Sequence, residues 1–316
     1  MPCAKSVLPI LLVAVAPAFQ DEAVFRSHST LALTHFHVLK NDLYVTDLKA
    51  EDVVLLEDGV PRKFTVFENS SYKRTLPVEI ALLFDFSNSV VNNGLYDPIA
   101  IKEGLLDELD NLRIAIYGFD NKLYRYSEPT SDIDSLSKGF MSLQEVTGPR
   151  QEIAYVLPGN RHLTPHGTSI YASVLQTSRE MSRTRDNSTR LMLTFSDGLD
   201  TTRMRAKDIA EVIRERQITV YPVALGHRRV PPNEEFHVLE YARLGELTGG
   251  RSYDVEFMDR TVMKQILEGL VWSVRTEYIV GFSPEWSNTP GRHELEVRLR
   301  DRSLGQVVGG KRTLMR

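Results

Sequence analysis

The chain has 316 residues, 42% of them hydrophobic and 25% charged, which is enough for one large domain and a smaller one. Its formal charge of −4 and its lack of any Lys/Arg block argue against a basic field for nucleic acid or an anionic membrane patch. A single cysteine, Cys3, excludes a disulfide framework within the chain.

Residues 1–18 have the layout of a secretory signal peptide. Lys5 precedes an apolar run from Val7 to Ala16, and Ala16-Pro17-Ala18 is an A-x-A cleavage pattern. The run is too short to span a bilayer comfortably, and Cys3 lies before it, not after it as in a lipoprotein. Cleavage removes Lys5 and lowers the charge from −4 to −5. It also removes the only cysteine, so thiol catalysis and Cys-based metal sites are excluded from the mature chain. No later segment reads as transmembrane. The expectation is an exported protein: periplasmic, on the cell surface or secreted.

Residues 24–70 read as a small, sandwich-like β module. Thr30 to Lys40 alternates loosely, Leu43 to Asp47 is a short strand candidate, and Val53 to Glu57 runs into the hairpin signal Asp58-Gly59. Lys63 to Glu68 is expected to supply the returning strand. His35 and His37 share a strand face at a spacing that suits a metal. No third ligand is near, and they read as surface or packing histidines. Asn69 to Leu76 is polar and reads as a linker.

Over residues 76–276 the pattern changes to strand–helix alternation. Strands are expected at Val78 to Asp85, Ile114 to Phe119, Arg190 to Thr194 and Ile218 to Leu225, with Lys122 to Ser127 as an antiparallel edge. Helices are expected over Pro98 to Leu109, with Ile99 on the apolar side, and over Ile133 to Leu143 and Ser169 to Ser182. Ala206 to Arg216, Phe236 to Leu247 and Met258 to Arg275 complete the set. Residues 144–166 read as loop. The fold class is α/β, a doubly wound and mostly parallel sheet. The tail, residues 277–316, returns to β character at Tyr278 to Phe282 and Glu294 to Arg300, and is expected to pair with the N-terminal module. Trp272 and Trp286 read as packing residues, with exposure at a contact surface the alternative for Trp286, and Asp107-Glu108-Asp110 reads as a solvated helix face.

The chemistry gathers where core strands end. Val78 to Asp85 is an apolar run typical of a strand buried on both faces, and Asp85, Ser87 and Ser89 follow it at two-residue steps. Ligands of open α/β sheets collect at the carboxyl ends of such strands. Standing alone, this piece favours an Asp/Ser helix cap. Two further residues come to the same edge: Thr168 at a helix start and Asp197 after another core strand. Together they form a hard-oxygen donor set of the kind Mg2+ or Mn2+ prefers.

These residues resemble the von Willebrand factor type A (VWA) fold and its metal-ion-dependent adhesion site. The matching pieces are Asp85-x-Ser87-x-Ser89, Thr168 within HGTS and Asp197 within FSDG. The resemblance implies that the two serines and the threonine approach the metal directly and that the aspartates act largely through water. It also implies a protein ligand that completes the site with an Asp or Glu carboxylate. Thr46 to Pro61 and Glu277 to Pro284 further resemble segments flanking the VWA domain in the VWFA-related Acidobacterial domain family. Those proteins often carry a second Gly before the threonine, where this chain has His166. His162 and His166 flank that loop and read as surface residues, the alternative being that they tune access to the metal or ligate a softer ion.

Enzyme alternatives are weaker. A haloacid dehalogenase-type phosphatase wants a carboxylate where Ser87 stands, and the P-loop and G-x-S-x-G patterns are absent. A metal-assisted hydrolase through Asp197 lacks an evident general base, and a purely structural ion is the other alternative. The expectation is a metal-dependent binding protein and not an enzyme.

Overall fold

The computed structural model describes residues 32–41, 43–69, 77–86, 98–145, 150–156, 167–183, 188–226, 235–283 and 291–315. The leader-like stretch, Ser87, Ser89, His162, His166 and Trp286 lie outside the described residues.

The N-terminal strands are β1 (Ala32–Lys40), β2 (Leu43–Tyr44), β3 (Val53–Glu57), β4 (Val60–Arg62) and β5 (Val66–Glu68). Asp58 and Gly59 both take positive φ, 51° and 79°, so the two-residue turn matches strand twist and closes β3 onto β4. The returning strand is therefore Val60–Arg62 and not Lys63 to Glu68. Pro61 cannot donate to a ladder, and β4 accordingly lies at a sheet edge.

The α/β layer comprises β6 (Val78–Asp85), β7 (Leu112–Phe119), β8 (Leu123–Thr130), β9 (Gln151–Ile153), β10 (Thr189–Ser196), β11 (Ile218–Leu225) and β12 (Tyr253–Val255). They form one sheet in the order β12-β11-β10-β6-β7-β8-β9. The ladders from β12 to β7 are parallel, and β8 runs antiparallel. This is the expected doubly wound sheet. One detail differs: β8 is not the edge, because Gln151–Ile153, read as loop, pairs outside it.

The helices are α1 (Pro98–Ile101), α2 (Ile133–Glu145), α3 (Ile170–Ser182), α4 (Ala206–Glu215), α5 (Glu235–Thr248) and α6 (Arg260–Thr276). On one face of the sheet, Ile80, Leu82, Phe84, Leu193 and Phe195 pack with residues of α1, α2 and α6. On the other, Ala81, Leu83 and Met192 pack with α3, α4 and α5. Burial on both faces explains why β6 reads as a continuous apolar run. After α1 the chain passes into a π-helical turn, Lys102–Leu106, where Gly104 lets it press against α6; a Cβ there would sit 2.9 Å from Leu267 Cβ. Ile99 points out of this contact and is exposed. Trp272 also departs from expectation. It lies off the buried stripe of α6, is 52% exposed and lines an open cleft of about 510 Å3 with Leu109 and Ile279.

The tail adds β13 (Tyr278–Phe282), β14 (Arg292–Leu299), β15 (Gln306–Gly309) and β16 (Lys311–Met315). β1 pairs with β13, β15 and β2, and β13 also takes β5; β14 lies between β3 and β16. The two sheets share a core of Phe36, Val38, Leu55, Tyr278, Val280, Leu295 and Val297. This is a β-sandwich assembled from both terminal segments.

The opposite face of β1 meets the α/β layer. His35 Nδ1 lies 3.1 Å from Glu277 Oε2, and His37 Nε2 lies 3.3 Å from Ser273 Oγ. Gln217 Nε2 donates to the Leu33 carbonyl at 2.6 Å. His35 and His37 are thus seam residues at the amino ends of the parallel strands. The carboxyl rim, where Asp85 and Asp197 lie, is at the opposite edge.

Candidate metal centre

Strand periodicity places the first site residue. Ile80, Leu82 and Phe84 share one face, so Asp85 falls on the other with Ala81 and Leu83, fully buried at the strand end. β10 runs alongside with Phe195 opposite Phe84, their rings stacked at 4.7 Å, which brings Ser196 beside Asp85. Ser196 Oγ donates to Asp85 Oδ2 at 2.6 Å and accepts from the Gly198 amide at 3.1 Å. Asp197, 7% exposed, follows directly, and its Oδ1 accepts from the Leu199 amide at 3.0 Å. Beyond Asp85 the chain is tied to the neighbouring strand by the Phe86 amide, which donates to the Phe119 carbonyl at 2.7 Å.

Thr168 arrives from the α3 side. Its carbonyl accepts from the Thr201 amide at 2.9 Å and from Thr201 Oγ1 at 3.0 Å, while the Ser169 amide donates to the Asp120 carbonyl at 2.9 Å. The segment that opens α3 is therefore bound to the loop that follows Asp197 and to the end of β7. Gly167 makes this close approach possible: its φ is +137°, and a Cβ would lie 2.5 Å from Thr201 Oγ1.

Asp200 braces the same loop. Its Oδ1 accepts from the Tyr171 amide at 3.2 Å in the first turn of α3, and its Oδ2 accepts from the Thr202 amide at 2.8 Å and Thr202 Oγ1 at 2.5 Å. A carboxylate at a helix amino end satisfies otherwise unpaired N–H groups and complements the helix dipole. Burial pushes the Asp200 carboxyl up from the usual range, and the hydrogen bonds from Thr202, Tyr171 and Ile170 oppose that shift.

Of the five residues expected to hold a metal, Asp85, Thr168 and Asp197 are described. All three are buried, Asp85 at a strand end and Thr168 and Asp197 in loops, on segments tied by hydrogen bonds through Ser196 and Thr201. Ser87 and Ser89 fall outside the described residues. Among the described residues no three His, Cys, Asp or Glu side chains form a cluster that could hold a metal; the expected donor set has two carboxylates and three hydroxyls. Sequence reasoning missed Ser196, Asp200 and Thr201. The run Asp200-Thr201-Thr202 does carry a local signal, since Asp before Thr favours side-chain-to-backbone turns. Ser196 carries none.

No family model matches the chain, and no curated protein matches it. The solved structures similar to it include VWA proteins. A von Willebrand factor type A protein from Catenulispora acidiphila is 10% identical with a TM-score of 0.44, covering 91% of this chain and 75% of that one. The conserved hypothetical protein BatB from Bacteroides thetaiotaomicron is 16% identical with a TM-score of 0.45, covering 63% of this chain and 100% of that one. Proximal thread matrix protein 1 from the mussel byssus, with a zinc-occupied MIDAS motif, is 13% identical with a TM-score of 0.42; the match spans 66% of this chain and 47% of that one.

Proposed function

We propose that this is an exported VWA-type protein whose carboxyl rim holds Mg2+ or Mn2+ and binds a partner protein through it. The holding residues are Asp85, Ser87, Ser89, Thr168 and Asp197. The observation that carries the reading is the 2.6 Å bond from Ser196 to Asp85, which fixes a fully buried carboxylate at the strand end next to Asp197. A buried carboxylate with polar neighbours at a parallel-sheet rim suits a hard divalent cation, and the available donors are all oxygens. When bound, such an ion offers an exchangeable coordination position to a carboxylate. The chain's own residues set the geometry. Ser196 orients Asp85, the Thr201 contacts hold Thr168, and Asp200 anchors α3. With three neutral hydroxyls on the ion and the two aspartates acting largely through water, as the VWA resemblance implies, the ion would keep affinity for an Asp or Glu side chain from a partner. The reading is of a binding protein and not an enzyme. Export rests on the leader-like stretch, residues 1–18.

The test is capture of envelope or culture-fluid proteins on the immobilised chain. Binding is expected in Mg2+ or Mn2+, to be lost in EDTA, and to be absent with Thr168→Ala. Binding that survives EDTA rejects the proposal in favour of a structural ion.

A further inference from the structure

Between the sandwich and the amino ends of the parallel strands lies a cavity of about 40 Å3, bordered by Arg190, Arg214, Lys311, Arg312 and Glu277. Four cationic side chains face one carboxylate there. Glu277 is already engaged by His35 Nδ1 at 3.1 Å and by Thr189 Oγ1, which donates at 3.3 Å. Lys311 reaches Glu296 at 3.8 Å. Arg190 is 6% exposed, and its Nη1 donates to the Arg216 carbonyl at 3.3 Å. Arg312 Nη1 likewise donates to a neutral acceptor, the Leu33 carbonyl, at 2.6 Å, and its Nε is buried with no hydrogen-bond partner among the described residues. Burial and the charge of Arg190 push the Arg312 guanidinium down to about 10. Holding two guanidinium groups together in a desolvated seam is costly unless an anion lies between them.

We propose that this seam binds one small free oxyanion, phosphate or sulfate, between Arg312 and Arg190 with Arg214 at its border. Guanidinium forks present paired donors that match oxyanion geometry. The cavity has room for a few water-sized groups, which suits a small oxyanion. The groove outside it carries Arg214, Arg292, Lys311 and Arg312 against Glu211, Glu294 and Glu296, a mixed lining that offers a polyanion no continuous cationic track. Bound there, the ion clamps β16 of the sandwich to β10 and α4 of the α/β layer.

Phosphate is titrated at constant ionic strength into the full chain and into Arg312→Met, with thermal unfolding as the readout and calorimetric titration of the wild type alongside. The expected result is a saturable rise in the wild-type melting temperature, one ion bound per chain, displacement by sulfate, and no saturable rise in the variant. In phosphate-free chloride buffer the variant is expected to melt no lower than the wild type. A desolvated charge has gone, and the Leu33 carbonyl keeps Gln217 Nε2 as donor at 2.6 Å. An equal rise in both proteins overturns the proposal, because exclusion of phosphate from protein surfaces then explains it. So does an absence of calorimetric binding up to about 10 mM phosphate. If the variant does not fold, the wild-type calorimetry alone decides.

Discussion

Ser196 Oγ and Asp85 Oδ2, 2.6 Å apart, tie the ends of two adjacent parallel strands together with no solvent at either residue. The same hydroxyl accepts from the Gly198 amide, so one atom orients the buried carboxylate and shapes the turn that presents Asp197. Ser196→Ala is expected to cost about 1–3 kcal/mol, since a buried acceptor and a buried N–H each lose a partner. Urea denaturation measures it. A loss under about 0.5 kcal/mol shows that neither partner depends on the hydroxyl.

Gly167 permits the contact between Thr168 and Thr201. A Cβ there meets Thr201, and a φ of +137° strains any L side chain. Gly167→Ala should displace Thr168 and weaken Mn2+ affinity by about 10–100-fold, the range seen when supporting contacts of a metal site are lost. Wild-type affinity in a folded Gly167→Ala protein would mean that Thr168 is not held through this contact.

Asp200 gives a pH signature. Its folded-state carboxyl is raised above the unfolded value by burial, so its contribution favours folding at low pH and is lost as pH rises through the folded value. Asp200→Asn removes that ionisation. The stability of the variant minus that of the wild type should grow as pH rises from the usual carboxylate range toward neutrality. Chemical denaturation at pH 4 and pH 7 tests the sign, and a difference that shrinks with pH contradicts it.

The sandwich and the α/β layer share β1, with Phe36 and Val38 in the sandwich core and His35 and His37 at the seam. Leu55→Ala, at a site 1% exposed, should cost about 2–5 kcal/mol. The whole chain is expected to unfold in one transition at lower denaturant. Two separated transitions would show that the sandwich melts alone.

What was legible in the sequence follows from how local each signal is. Val78 to Asp85 declares itself because both faces of the strand are covered, and Asp58-Gly59 because only such residues suit the turn. Gln151–Ile153 and Lys311–Met315 are short and polar enough to pass for loop, and only their partners make them strands. The pairing of the tail with the N-terminal module was legible from the return of β character after the last helix, but the register of β1 against β13 was not, since neither strand encodes the other. At the rim, Asp85, Thr168 and Asp197 stood out by their positions at strand ends and a helix start. Ser196 did not, because a serine that closes a strand looks the same whether or not it touches a carboxylate. Trp272 was misread because a large apolar ring implies packing until the buried stripe of its helix is seen to miss it.

The central claim is that the rim binds a divalent ion through Asp85, and Mn2+ titration followed by electron paramagnetic resonance tests it most directly. The wild type is expected to bind one Mn2+ per chain and to release it to excess Mg2+, while Asp85→Ala stays folded by circular dichroism and binds none at that site. An unchanged Mn2+ titration in folded Asp85→Ala would contradict the claim.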